Sequence, residues 1–217
     1  MSAAVIITHN RPALLRQCIA AIQPQVDFTI VIDNASDPPV EPLAQYGVIT
    51  IREPLQPPNI AKMWNTGIDA VRMLCDCAYV AFLCDDAIVP PRWFDAVTDG
   101  MIETGAVAGC SDPFPDHPHK PFKKTAPDGD LFGRMVGWAF VLDVSSGIRA
   151  DESMHWWWCD TDIDWQARAR GGMCVISGDF AVPNILPNDF TGSRPELSER
   201  TGVDAAAFAA KWGSRPW

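Results

Sequence analysis

The sequence predicts an α/β protein, a mostly parallel sheet wrapped by helices. Three observations point there. Short β-branched apolar runs alternate with amphipathic stretches, which is the pattern of strand–helix–strand units. The connections between them are short. Polar clusters, Thr8-His9-Asn10-Arg11, Asp33-Asn34 and Asp85-Asp86, directly follow apolar runs. Open parallel sheets bind their ligands at that place, the carboxyl ends of the strands.

Each element has its own reason. Ala3 to Thr8 is a continuous apolar run, as expected of a strand buried on both faces. Pro12 suits a first helical turn, and Leu14, Leu15, Cys18, Ile19 and Ile22 then recur at helical spacing. Phe28 to Ile32 reads as the second strand and Val48 to Ile51 as a shorter third. A helix is expected from about Ile60 to Cys75, and Ala78 to Leu83 forms the fourth strand. Pro91 to Thr104 reads as a helix and Ala106 to Cys110 as a strand. Ser111 to Gly133 is rich in Pro, Asp, His and Lys and reads as a long surface loop. Val136 to Leu142 is a further apolar run. A helix is expected over Ile163 to Arg170, ended by Gly171-Gly172, with a last strand over Met173 to Ser177. The tail carries a short Ala-rich helix near Asp204 to Lys211.

At 217 residues the chain suits one large domain. We divide it into a regular first half (1–110), a less regular second half (111–193) and a tail (194–217). With 17 basic and 27 acidic residues the net charge is −10, which argues against a nucleic-acid partner. An anionic ligand would need a metal or a local basic pocket to offset that field. No apolar run approaches the ~20 residues of a membrane helix, and the N-terminus lacks the build of a secretion signal. Seven cysteines without a C-x-x-C pair read as reduced, mostly buried thiols of a cytoplasmic protein.

Four constellations are candidates to carry chemistry. Asp85 and Asp86 after an apolar strand are hard-oxygen ligands suited to Mg²⁺ or Mn²⁺, or simply a solvated turn. Asp160, Asp162 and Asp164 precede a helix, where the dipole keeps carboxylates ionised. One of them could serve as a general base, or as an N-cap. Beside them stand Trp156, Trp157 and Trp158, with Trp138 upstream; such rings stack on sugars and also fill cores. Lys120, Lys123 and Lys124 form a basic island in the long loop. Serine-hydrolase, phosphate-loop and dinucleotide-binding glycine motifs are absent.

Taken in order, these pieces resemble the family 2 glycosyltransferases, inverting enzymes of the GT-A fold. VIITHNRPALLRQCIAAI resembles their first strand, Thr-x-Asn-Arg turn and helix. IVIDNASD resembles the second strand, NIAKMWNTGIDAV the helix with Asn-x-Gly, and AYVAFLCDDAIVPPRWFDAV the strand with a D-x-D-type motif. GWAFVLDVSSGIRADESMHWWWCDTDIDWQARARGG resembles the acceptor half. The resemblance implies a GT-A-like domain with a Rossmann-like nucleotide-binding half and an acceptor half. It implies transfer of a sugar from a UDP-, TDP- or GDP-sugar to a glycan, protein or small-molecule acceptor, assisted by Mn²⁺ or Mg²⁺. It assigns Asp162 as the base, with Asp164 and Arg168 supporting it. It assigns Thr8, Asn10, Arg11, Asp33, Asn65 and Asp85 to the donor. The metal falls to Asp86, with Asn188 and Asp189, and the acceptor to Trp138, Trp156, Trp157, Trp158 and Asp160.

Three positions depart from the family pattern. Cys84 stands where the metal motif has its first acid, Thr161 replaces the Glu of the acidic pair, and Asn188-Asp189 stand where relatives carry a His. Asp160 is the alternative base. A catalytically degenerate carbohydrate-binding protein on the same fold is the rival reading, and a sugar-phosphate nucleotidyltransferase a further one.

Overall fold

The computed structural model describes residues 1–44, 47–128, 132–183 and 194–214. Among them, eight strands form one sheet: β1 (Ser2–Thr8), β2 (Phe28–Asp33), β3 (Val48–Arg52), β4 (Tyr79–Cys84), β5 (Ala108–Ser111), β6 (Phe122–Lys124), β7 (Ala139–Asp143) and β8 (Met173–Ile176). Their order is β3-β2-β1-β4-β7-β5-β8-β6. Pairing is parallel for β1 with β2 and β4, β2 with β3, and β5 with β8. The other three pairings, β4–β7, β5–β7 and β6–β8, are antiparallel. Five helices flank the sheet: α1 (Pro12–Ile22), α2 (Ile60–Leu74), α3 (Trp93–Thr104), α4 (Cys159–Arg170) and α5 (Pro195–Trp212).

The apolar run of β1 is explained by the two layers it serves. Ala3, Val5 and Ile7 point into one core, with Trp64 and Ile68 of α2, Trp165 of α4 and Phe208 of α5. Ala4 and Ile6 point into the other, with Leu15 and Ile19 of α1 and Trp93 and Met101 of α3. Successive strand residues face opposite sides, so a strand covered on both faces must be apolar throughout. Asn59 caps α2 by accepting from the Lys62 N–H at 2.9 Å. Gly67 lets α2 lie close on β1: a Cβ there would come within 2.6 Å of a Val5 methyl. The Asn-x-Gly of the sequence is thus partly a packing feature.

Four expectations change. The long loop contains β6, a three-residue edge strand too short to show alternation. Helix α4 starts at Cys159 rather than Ile163, so its acids lie within the first two turns and not ahead of them. The tail helix is 18 residues long, entered through Pro195 and closed by Gly213 in the left-handed conformation. Cys75 and Cys77, expected as reduced thiols, form a disulfide, their Cα atoms 5.3 Å apart at the end of α2. The other five cysteines are free. No helix among the described residues is long and apolar enough to cross a membrane.

Candidate active site

The polar motifs meet along one edge of the sheet. Strand register places Arg52, Asp33 and Thr8 side by side across β3, β2 and β1. Ile7 is level with Cys84 of β4, and the Asp85 N–H donates to the Ile7 carbonyl at 3.1 Å. The Cys84 N–H in turn donates to the Trp138 carbonyl at 3.0 Å. Trp138 follows Gly137, where a Cβ would lie 2.8 Å from an Asp160 carboxylate oxygen. A continuous row therefore runs from Arg52 on one side to Asp160 on the other.

Asp85 and Asp86 are buried beside Arg11. One guanidinium nitrogen of Arg11 lies 3.4 Å from Asp85 and 3.3 Å from Asp86. The Thr8 hydroxyl donates to Asp85 at 2.7 Å. Burial pushes the Asp85 carboxyl up, against the opposing pull of Thr8 and Arg11. Cys84, in the first position of the motif, is pushed well up by burial and then by the Asp86 and Asp85 charges.

Asp33 is fully buried at the end of β2 and organises the loop after it. It accepts from the Ser36 N–H at 2.9 Å, the Val40 N–H at 3.1 Å and Arg52 at 2.8 Å. Burial alone would raise its pKa, but the Ser36, Val40 and Arg52 interactions outweigh that and hold it below the usual carboxylate range. A cavity of about 460 Å³ opens beside Asp33 and Arg52, walled by Pro39, Leu43, Val48 and Thr50. Asn10, at φ 56°, accepts from the Asp37 N–H at 2.6 Å and ties the β1 turn to the β2 turn. Asn65 bridges to the segment before α4: it accepts from the Ala150 N–H at 3.1 Å and donates to Glu152 at 2.9 Å.

At the α4 end of the row the structure separates the three acids of that helix. Asp162 is fully buried and closed off. It accepts from Lys211 at 2.7 Å, Trp212 Nε1 at 2.9 Å and Gln166 at 2.8 Å. No Asp162 oxygen is left to face an acceptor, which argues against the base role the resemblance gives it. Asp164 forms a two-pronged buried pair with Arg168, at 2.8 and 2.7 Å. Arg168 also reaches Asp128 at 2.9 Å and so pins the end of the long loop. Asp160 is the half-buried acid, set against Gly137 at the end of the row. Burial pushes its carboxyl up, opposed by the Thr161 N–H and Arg134.

The tryptophans are anchored more than the sequence suggests. Trp138 donates to the Val182 carbonyl at 2.7 Å and Trp157 to the Leu197 carbonyl at 2.6 Å. The backbone N–H groups of Trp156 and Trp157 donate to buried Asp204 of α5 at 2.9 and 3.0 Å. Trp158 holds φ 67°, a left-handed conformation that costs about 1–2 kcal/mol in an L-residue. Strain of this kind gathers at functional sites, and this one lies two residues before Asp160.

Asn188 and Asp189 lie outside the described residues. The described residues contain no group of three or more His, Cys, Asp or Glu able to hold a metal ion. Asp85 and Asp86 do converge on a single cationic nitrogen of Arg11. That suits a Mg²⁺-type ion, which takes one or two carboxylates and completes its shell with phosphate and water. The residues that sequence reasoning missed are Arg194, Gly137, Asp204, Lys211 and Trp212, while His9 stood in the strand-end polar cluster without a role of its own.

Comparison with known proteins agrees with this fold. The Staphylococcus aureus TarS 1–349 structure superposes with a TM-score of 0.63 at 11% identity, covering 91% of this chain and 64% of that one. The same fragment in complex with UDP gives 0.63 at 11%, over 98% and 72%. GalNAc-T7 with UDP, GalNAc and Mn²⁺ gives 0.60 at 10%, over 85% and 43%. At such identities the likeness speaks for the fold, and this chain spans less than two thirds of the TarS fragment as first matched. A comparison with curated protein sequences gives no match. The profile of glycosyl transferase family 2, however, matches residues 3–164, well over half of the chain. On that match, the chain belongs to glycosyl transferase family 2.

Proposed function

We propose that this protein transfers a sugar from a nucleotide-diphosphate sugar to an acceptor hydroxyl, with inversion, and that Asp160 is the general base. The observation that carries this is the adjacency of two chemistries. The Arg11–Asp85–Asp86 group ends one stretch of the row, and Asp160 stands one hydrogen-bonded strand away, behind Gly137.

In this reading the nucleobase lies toward the cavity beside Asp33 and Arg52, and the diphosphate lies over the ends of β1 and β4. Asp160 accepts the proton of the acceptor hydroxyl as its oxygen bonds to the anomeric carbon. The bond from that carbon to the diphosphate breaks on the opposite face, and the electron pair leaves with the phosphate oxygen. Arg11 supplies positive charge to the phosphates. A Mg²⁺ or Mn²⁺ ion at Asp86, with Asp85 and with Asn188 and Asp189 of the C-terminal stretch, would neutralise charge on the leaving diphosphate. Trp138 and the Trp156–Trp158 turn line the acceptor side.

TarS and GalNAc-T7 are each described with UDP, so uridine nucleotides come first in the test. Thermal melts with UDP, GDP, TDP or CMP, each with Mn²⁺, Mg²⁺ or EDTA, should single out one diphosphate. At a hundredfold excess over Kd, binding adds about 2.7 kcal/mol of stability. That is a rise of roughly 5–10 °C for a chain of this size. A shift that vanishes in EDTA supports the metal. No shift with any of them, together with no donor turnover, favours the carbohydrate-binding reading that Cys84 invites.

The burial of Asp160 has a pH consequence. The base works only when ionised, and its pKa is raised. Activity should therefore fall on acidification at a pH above the ordinary carboxylate range. A kcat/KM profile with its acid limb at an ordinary aspartate pKa would argue against Asp160.

A further inference from the structure

Strand β3 carries a polar group that the fold does not use. The Thr50 hydroxyl oxygen is buried and has no hydrogen-bond partner. A hydroxyl held away from water without a partner costs free energy, and a valine of the same shape would avoid that cost. An orphan of this kind in a folded chain calls for an explanation, such as a bound group that the chain alone does not supply. Thr50 lines the cavity of about 460 Å³ beside Asp33 and Arg52. That volume suits a small-molecule site, which is mostly apolar with a few polar groups to fix orientation.

Strand register explains why the hydroxyl faces that cavity. Arg52 pairs with Asp33 and Thr50 with Val31, so these four residues share one face of the sheet. Thr50 stands two residues, about 6.6 Å, further from the strand ends than Arg52. Asp33 and Arg52 are the other polar side chains among the described lining residues. They are engaged with each other at 2.8 Å and with the backbone of Ser36 and Val40. Pro39, Pro42, Leu43 and Val48 supply apolar walls.

We propose that Thr50 is a contact for the donor nucleobase, its hydroxyl forming the polar floor of the base pocket. The inference rests on the nucleotide-sugar reading above. A flat heteroaromatic ring fits between apolar walls, and its edge carries carbonyl and N–H groups. A threonine hydroxyl donates to the first and accepts from the second. A base seated against Thr50 passes between Asp33 and Arg52, and its ribose and diphosphate then lie toward the ends of β1 and β4.

Calorimetric titration of the full chain in Mg²⁺ with UDP, GDP and TDP identifies the preferred diphosphate. The matching nucleoside is measured by displacing it. Thr50→Val should weaken both by the same factor, about 3–10-fold, the range for one neutral hydrogen bond. Thr50→Ser keeps the hydroxyl and should stay within about twofold of wild type. Thr50→Val should melt no lower than wild type, since it loses an unpaired buried hydroxyl and keeps the branched shape. Thr29 supplies the control: its buried hydroxyl also lacks a partner, and it does not line the cavity. Thr29→Val should leave both affinities unchanged. If wild type binds a diphosphate and Thr50→Val binds it equally well, this inference falls alone. It also falls if the diphosphate weakens and the nucleoside does not, because the contact is then not with the base. Equal weakening by Thr29→Val, or a loss of affinity in Thr50→Val joined to a fall of several degrees in melting temperature, overturns it as well, since either marks repacking of the sheet face. If wild type binds none of the three diphosphates, the donor reading falls and takes this inference with it.

Discussion

Replacing Asp160 with Asn should lower turnover about 10³-fold, within the range that general-base removal produces. The melting temperature and the affinity for a nucleoside diphosphate should stay at wild-type values. The asparagine amide keeps the shape that fits against Gly137 but cannot take a proton from the acceptor hydroxyl. Single-turnover rates with a nucleotide sugar separate this from slow product release. If Asp160→Asn turned over at the wild-type rate, the base would have to be sought elsewhere on α4.

Asp162→Ala should fail in a different way. It removes the shared acceptor of Lys211, Trp212 and Gln166 and leaves those donors around a buried hole. Breaking a buried charged pair by removing one partner costs about 3–5 kcal/mol. For a chain of this length that is a fall of roughly 10 °C in melting temperature. Helix α5 should become the first segment open to proteolysis, because Asp162 anchors its last turn. The two variants together decide between the acids. A stable, inactive Asp160→Asn beside an unstable Asp162→Ala supports the present assignment. A well-folded but inactive Asp162→Ala would restore Asp162 as the base.

Much of this protein could be read directly from its residues. The short apolar runs of β1, β2 and β4 suit strands covered on both faces, as the structure has them. The acids and asparagines that end them had to fall on one edge of a parallel sheet. Strand β6 was hidden because three residues show no period, and α5 because Gly202 and a polar first half interrupt its pattern. Cys75 and Cys77 were misread because nothing in a C-x-C spacing reveals whether the chain turns enough to join them.

The division at α4 is sharper. Local sequence placed Asp160, Asp162 and Asp164 just ahead of a helix, the structure places them within its first two turns, and the family resemblance placed a base among them. Residues two apart on a helix point about 200° away from each other. If one of Asp160 and Asp162 faces the acceptor, the other must face the protein. Which is which depends on Gly137, 23 positions before Asp160, and on Lys211 and Trp212, about 50 positions beyond Asp162. The sequence determined the layers, the strand-end chemistry and the family. Only the tertiary structure showed that Asp162 is spent on holding α5 while Asp160 lies against Gly137, because those contacts join segments that no local pattern links.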